Sequence, residues 1–308
     1  MVSYNSAGTL RSCVEALARE GDLDVIVVDN ASADESLATV ADLPLTALSL
    51  RRNGGFAFGC NRGLEAGSSP FVLFLNPDAR IEAEAVRTLA RFLSAHDTAG
   101  LVAPRVRTAG GELELSLRRF PRLRSTYSRA FFLHRLFPRA SWSDEDVRDP
   151  AAYEYAHPVD WVSGACVLVR REALERIGGW DESFFHYGED IDLCRRLWSA
   201  GYEVWFDPSA EALHVGGVSA PRPRLRPILV ANRVRYARKH EPRLEAALEH
   251  AGSALEELTH ALLTLKGREV RAGHVRALRT LLRRTPHASR SVRRWSDPTG
   301  VEPPGRSD

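Results

Sequence analysis

Through the first third of the chain, short apolar runs alternate with stretches of helical spacing. Leu10, Cys13, Val14 and Leu17 repeat on one helix face, behind Ser6-Ala7-Gly8-Thr9 and ahead of Gly21. Val25-Ile26-Val27-Val28 predicts a strand, a second helix is expected after Asp29-Asn30-Ala31-Ser32, and a short strand around Leu45–Leu50. The glycine-rich stretch Asn53–Gly63 opens another helix, and Phe71–Leu75, apolar at every position, predicts a buried central strand. A helix over Glu82–Ala95 and a strand at Leu101–Ala103 follow, so the alternation predicts an α/β fold with a mostly parallel sheet.

Val106–Tyr155 is less regular and rich in Arg and aromatics. Beyond it, Gly188-Glu189-Asp190 marks a helix start, with Ile191, Cys194, Leu197 and Trp198 on one face and Gly201 as the stop. Ala212–Val215 reads as a short strand. The pattern then divides the chain into an α/β domain (1–219), a basic linker with a helical extension (220–284) and a tail (285–308) whose Pro, Ser and Arg content predicts disorder. Arg222, Arg224 and Arg226, interleaved with Pro221, Pro223 and Pro227, read as a flexible basic segment, either a solvated linker or a lid. Helices are expected over Asn232–His240, Pro242–Leu265 and Gly273–Arg284; they could cover a sheet edge, pair two copies into a homodimer, or rest on an anionic membrane.

Composition narrows the function classes. The 308 residues carry 42 basic and 40 acidic side chains, a formal net charge of +2, so no global field calls for nucleic acid. Only Lys239 and Lys266 are lysines, which looks like a coding bias rather than an adaptation to phosphate. Cys13, Cys60, Cys166 and Cys194 are scattered without C-x-x-C spacing and are expected reduced and buried. No apolar run approaches the roughly 18 residues of a membrane span, and no signal peptide precedes the first helix, so a cytoplasmic location is expected, with the inner face of the plasma membrane as the place of any peripheral contact.

Asp29 and Asp78 each follow a buried strand, at the carboxyl end where open α/β sheets place ligands. Two such acids could hold Mg²⁺ or Mn²⁺ and bridge to substrate phosphates, although strand-end acids are also ordinary turn formers. His214, before Gly216-Gly217, could add an imidazole ligand, which Mn²⁺ accepts more readily. A carboxylate at Glu189 or Asp190 should stay ionised at the positive end of its helix and could accept a proton, while capping alone would also place acids there.

Val2-Ser3-Tyr4-Asn5, Val28-Asp29-Asn30-Ala31-Ser32, Asn53-x-Gly55-Phe56-x-x-Gly59-x-Asn61-x-Gly63, Leu75-Asn76-Pro77-Asp78, Ser163-Gly164-Ala165, Gly179-Trp180-Asp181-Glu182, Gly188-Glu189-Asp190 and His214-x-Gly216-Gly217 occur in that order. Together they resemble inverting family 2 glycosyltransferases, nearest their rhamnosyltransferase-like branch. The resemblance implies a GT-A fold, a Rossmann-like α/β architecture with a mixed sheet flanked by helices and a C-terminal helical extension, and transfer of a sugar from a nucleotide-diphosphate donor, dTDP-rhamnose ahead of UDP-sugars, to a cell-wall or surface glycan, free or lipid-linked. It implies Mg²⁺ or Mn²⁺ at Asp78 and His214, with Tyr4, Asp29, Asn53, Gly55, Phe56, Asn61, Asn76 and Asp78 around the nucleotide sugar. Asp190 takes the general-base position with Glu189 beside it, and Trp180, Asp181 and Glu182 the acceptor-binding positions. The family's first strand is longer than the residues ahead of Tyr4, so an apolar segment added upstream is expected to raise the melting temperature. A catalytically silent sugar-nucleotide-binding relative is the alternative. A pyrophosphorylase lacks its lysine-bearing phosphate loop here, and the glycine spacing misses the dinucleotide G-x-G-x-x-G fingerprint.

Overall fold

The computed structural model describes residues 1–215, 222–265 and 267–283; Gly216-Gly217, Pro221 and the tail expected to be disordered lie outside them. Val2–Ser3, Ile26–Asp29 and Thr46–Ser49 form a parallel three-stranded sheet. A second sheet runs in the order Phe71–Leu75, Cys166–Arg170, Ala99–Thr108, Glu203–His214, Ala79–Ile81, with His157–Pro158 against Glu203–His214. Only the pairing of Ala99–Thr108 with Glu203–His214 is parallel in this sheet, so it is mixed rather than mostly parallel. Leu117–Arg118 and Trp161–Val162 make a small antiparallel ribbon beside it.

Helices cover both faces of the mixed sheet. Ala83–Ala95 lays Val86, Leu89 and Leu93 on Val102, Leu168 and Ala212, while Glu189–Ser199 lays Leu193, Cys194 and Leu197 against Val169, Val204 and Phe206. Truncating a fully buried leucine such as Leu89 would cost about 2–5 kcal/mol. The first helix, Leu10–Ala18, buries the apolar face its spacing predicts, and all four cysteines are free and buried.

Four expectations need correction. No α-helix follows Ser32, only a 3-10 turn at Leu37–Val40, because Asp34 accepts bonds from the Ser36 N–H (3.2 Å) and from Ala7, drawing the backbone into side-chain-held turns. Phe71–Leu75 is not central: it pairs only with Cys166–Arg170, and its other flank opens on a cleft of about 370 Å³ lined by Val2, Ile26, Gly63 and Leu73. The short strand at Ala212–Val215 is the end of the twelve-residue Glu203–His214. The basic segment from Arg222 is neither linker nor lid but the start of an Arg222–His240 helix. Pro227 inside that helix cannot bond the Pro223 carbonyl four residues back, and Arg276 supplies the missing donor at 3.2 Å.

The C-terminal helices Arg222–His240, Arg243–Leu263 and Arg268–Leu282 pack together and onto Leu123–Ala130. Their joint is ionic. Arg129 and Arg226 both reach Glu256 (3.1 and 2.9 Å), and Arg233 bridges Glu145 to Glu249. Burial alone would push the Glu145 and Glu256 carboxyls up; arginines outweigh it, Arg233 and Arg129 at Glu145, Arg129 and Arg226 at Glu256, and hold both near 2.

Candidate active site

The residues expected around the nucleotide sugar lie at strand ends and in one glycine loop. Asp29 ends its strand buried, its carboxylate capped by the N–H (3.0 Å) and hydroxyl of Ser32. Asn30 donates to Asn53 Oδ1 (2.9 Å) and the Gly55 carbonyl (3.0 Å), and accepts from the Gly54 N–H, so two asparagines fold the loop ahead of the Phe56–Ala66 helix. Gly55 lies at φ 93°, and a Cβ there would stand 2.2 Å from the Phe185 carbonyl, which accepts the Phe56 N–H. A side chain at position 55 would therefore part the loop from the Phe184-Phe185 segment. Tyr4 is half-buried just past the first strand.

Asn76-Pro77-Asp78 leaves the Phe71–Leu75 strand in a turn, with the Asn76 N–H on the Ala165 carbonyl (2.9 Å). Asp78 is buried, and its Oδ1 faces His214 Nε2 at 3.3 Å. Glu114 takes the other imidazole nitrogen, Nδ1, at 2.8 Å. Between carboxylates, first Asp78 and then Glu114, His214 is pushed up to about 10, protonated in the absence of other cations.

The same array accommodates a divalent cation. Ligand atoms about 2.1 Å from one ion and at right angles to each other lie about 3 Å apart, close to the Asp78–His214 separation. With Nδ1–H donated to Glu114, Nε2 is the free lone pair, which is how a carboxylate fixes the tautomer of a metal-binding histidine. Among the described residues no set of three His, Cys, Asp or Glu side chains converges as a metal site, so a cation held by Asp78 and His214 would need further ligands from outside that set, such as a diphosphate or water.

The segment expected to carry the general base begins at Gly188, at φ 94°, which turns the chain into the Glu189–Ser199 helix. Its two carboxyls part company. Asp190 lines a cavity of about 780 Å³ shared with Arg118, Trp161, Tyr187 and the C-terminal helices. Glu189 is buried away from that cavity, and its Oε2 has no partner among the described residues. Burial, then the neighbouring Asp190, holds the Glu189 carboxyl well above its usual range. Burial also raises Asp190, moderated by the N–H groups of Ile191 (2.8 Å) and Gly164 and by the charge of Arg118. The expectation of a carboxylate kept ionised by the helix end alone is thus corrected: desolvation outweighs the helix field and raises the Asp190 carboxyl above its usual range, which strengthens its carboxylate as a proton acceptor.

Trp180, Asp181 and Glu182 are held by protein partners. The Trp180 ring lies in the core, edge-on to Phe56 (5.5 Å) and Phe74 (5.0 Å), with its Nε1 unpartnered among the described residues. Asn61 donates to the Trp180 carbonyl and to Glu182 (2.9 Å each) and accepts the Trp180 N–H, and Asp181 pairs with Lys239 at 2.6 Å. Asn61 therefore ties the glycine-loop helix to this segment.

Asp78 and His214 do not line the Asp190 cavity. Two stretches join the sides. Ala165 bonds Asn76 while its neighbour Gly164 packs on Asp190, and Glu114–Arg118 has its first residue on His214 and its last at the cavity. Four residue steps of extended chain reach about 13 Å, an upper bound on the Cα separation between these ends. Glu114, Arg118 and Asn232 carry no sequence signal that singles them out. Asn232, in the first C-terminal helix, donates to the His186 (3.0 Å) and Tyr187 (2.6 Å) carbonyls and so fixes the loop that delivers Asp190.

Residues 1–178 match the glycosyl transferase family 2 model, and residues 149–216 one described as the N-terminal domain of galactosyltransferase. The chain is 34% identical over 212 residues to N-acetylglucosaminyl-diphospho-decaprenol L-rhamnosyltransferase of Mycobacterium tuberculosis, covering 65% of this chain and 68% of the relative. It is 27% identical over 228 residues to rhamnosyltransferase WbbL of Escherichia coli, covering 70% and 81%. Among solved structures, GalNAc-T7 with UDP, GalNAc and Mn²⁺ superposes with a TM-score of 0.60 at 12% identity (91% of this chain, 54% of that one), and S. aureus TarS residues 1–349 with 0.54 at 17% (91% and 78%). The last two establish the fold alone, a GT-A-like α/β architecture with a helical C-terminal region. With a family model over more than half its length and rhamnosyltransferases among its relatives, the chain belongs to glycosyl transferase family 2 and is a glycosyltransferase.

Proposed function

We propose that the protein transfers a sugar, with inversion, from a nucleotide-diphosphate donor to a hydroxyl of a glycan acceptor, with Asp190 as general base. The donor favoured is dTDP-rhamnose, ahead of UDP-sugars, since two relatives bear rhamnosyltransferase names. The same comparison supports a lipid-linked acceptor, one of those names specifying a diphospho-decaprenol. The observation that carries the proposal is the placing of one uncommitted carboxylate, Asp190, in a roomy cavity, with the Asp78–His214 pair on the far side of Gly164-Ala165.

Asp190 accepts the acceptor O–H proton as that oxygen forms a bond to the anomeric carbon. The bond from that carbon to the diphosphate oxygen breaks on the opposite face, and the electron pair leaves with the nucleotide. A Mg²⁺ or Mn²⁺ at Asp78 and His214 would supply charge neutralisation to the departing diphosphate. Glu114 orients His214, and Arg118 holds counter-charge beside Asp190. Glu189, buried away from the cavity with its carboxyl raised by burial, leaves the proton acceptor role to its neighbour.

Incubation with nucleotide sugars and Mn²⁺ tests the proposal. Slow donor hydrolysis that Asp190→Asn abolishes, with nucleotide-dependent thermal shifts retained, is the expected result. Tight donor binding without turnover of any sugar would favour the silent binding relative.

A further inference from the structure

We infer that the surface formed by Phe131, Leu136, Phe137 and Leu263 docks this protein on an anionic lipid bilayer, beside the mouth of the Asp190 cavity. The inference rests on reading that cavity as the acceptor site and deepens it by naming the phase from which the acceptor arrives.

The end of the Leu123–Ala130 helix turns small residues inward, and the stretch after it leaves Phe131, Leu136 and Phe137 on the surface. Ser128 and Ala130 are buried, whereas Phe131 is 57%, Leu136 72% and Phe137 50% exposed. This is a built projection. Phe132 adopts a left-handed turn, Phe137 packs on Trp142 at 5.5 Å, and the Ser143 hydroxyl donates to the Phe137 and Ala140 carbonyls. The end of the Arg243–Leu263 helix adds a second apolar row, with Leu263 64% and Leu265 98% exposed. The rows adjoin, because Thr259 donates to the Ala130 carbonyl at 2.8 Å and the Phe132 and His260 rings stand 4.3 Å apart. Leu263, one turn beyond Thr259, falls on that same side.

Contiguous exposed apolar surface of this kind marks a place of contact. Its charge selects the partner. Arg135, stacked over Phe132 at 4.4 Å, and Arg139, Arg268 and Arg271 are exposed around it, with Glu269 the exposed acid between the last two. A second copy placed face to face would bring these arginines against one another, whereas anionic headgroups meet them with opposite charge. Aromatic and leucine side chains ringed by arginines are the composition of an interfacial membrane surface. No helix among the described residues is long and apolar enough to cross a membrane, so the contact is peripheral. His134, Arg135, His260 and Thr264, neighbours of the patch, line the cavity that also holds Asp190. A lipid-anchored acceptor could present its sugar there without leaving the bilayer.

Sedimentation with sucrose-loaded vesicles tests this, using phosphatidylcholine alone and phosphatidylcholine with an equal part of phosphatidylglycerol. The full chain should pellet with the anionic vesicles, and the triple variant Leu136→Ser, Phe137→Ser, Leu263→Ser should bind them about tenfold or more weakly. Circular dichroism and melting temperature verify the variant's fold, and the single Leu265→Glu, at a nearly fully exposed position, provides a second measure with a partial loss. Absence of wild-type binding to anionic vesicles, or equal binding by the folded variants, would overturn the inference. So would a wild-type dimer that the substitutions turn into monomer with no vesicle binding by either. Donor hydrolysis, measured on the same preparations, should be equal in wild type and variants. If neither hydrolyses donor while vesicle binding persists, the transferase reading fails and the docking surface stands.

Discussion

The donor half and the acceptor half of this molecule are made in different ways. On the proposed donor side, Asp29 and Asp78 leave strand ends, Asp29 capped by Ser32 three residues on, while the Asn30–Asn53 clamp and the Asn76–Ala165 bond tie these turns to neighbouring segments. On the acceptor side, Asp190 is delivered by a loop that Asn232 holds from 45 residues away, and its cavity is walled by arginines paired with Glu145, Glu256 and Glu257 on distant segments. In the proposed reading the groups offered to a diphosphate leave strand ends of the sheets, while the space offered to an acceptor depends on how the C-terminal helices dock.

Substitution on either side should separate the two halves most sharply. Asp190→Asn should lower sugar transfer by about a thousandfold while leaving metal-dependent nucleotide binding intact. Asp78→Ala should lose both, read by initial rates and thermal shift. Equal loss of nucleotide binding in the two variants would merge the halves.

Glu114→Gln gives a smaller effect confined to the donor side. If Glu114 sets the His214 tautomer, Mn²⁺ affinity of the nucleotide-bound protein should fall about 10- to 100-fold. Manganese titration followed by electron paramagnetic resonance checks this, and an unchanged affinity would reduce Glu114 to a packing role.

Acid should undo the acceptor side first. Glu145, Glu256 and Asp192 are held near 2 in the folded protein, below their usual values of about 4. At Asp192 burial is outweighed by His240 and Arg196. A depressed carboxyl stabilises fully above its unfolded pKa, and that contribution is lost as pH falls through the folded one. Hydrogen exchange over residues 222–282 should therefore rise between about pH 4 and 2 before exchange in the Ala83–Ala95 helix does. Simultaneous loss would show that the C-terminal helices are not a separately held wall.

The smallest expected change concerns the cleft beside Phe71–Leu75. An apolar extended segment of six residues or so appended ahead of Met1 should pair with that free strand edge and raise the melting temperature by a few degrees. No shift would mean the cleft does not accept a strand.

These contrasts also explain what could be read from residue order. Periodicity located the Leu10–Ala18, Ala83–Ala95 and Glu189–Ser199 helices because each buries one continuous face. Asp29, Asp78, His214 and Asp190 were legible as candidates because acids and a histidine at element ends are few. Glu114 was not, since it lies in an irregular stretch and acquires its meaning only from His214, a hundred residues on. The missing helix after Ser32 was misread because side-chain bonds of Asp34 compete with backbone ones. The Arg222–His240 helix was hidden by prolines whose lost donor is replaced from another helix. The edge position of Phe71–Leu75 depends on what lies across the cleft, which its own apolar run does not encode.

The central claim is that both halves act on one sugar, and crystals grown with Mn²⁺ and an unreactive nucleotide-sugar analogue would test it most directly. An anomalous manganese peak should appear between Asp78 and His214, with the anomeric carbon turned towards Asp190. A peak elsewhere, or a sugar pointing away from Asp190 into separate solvent, would contradict it.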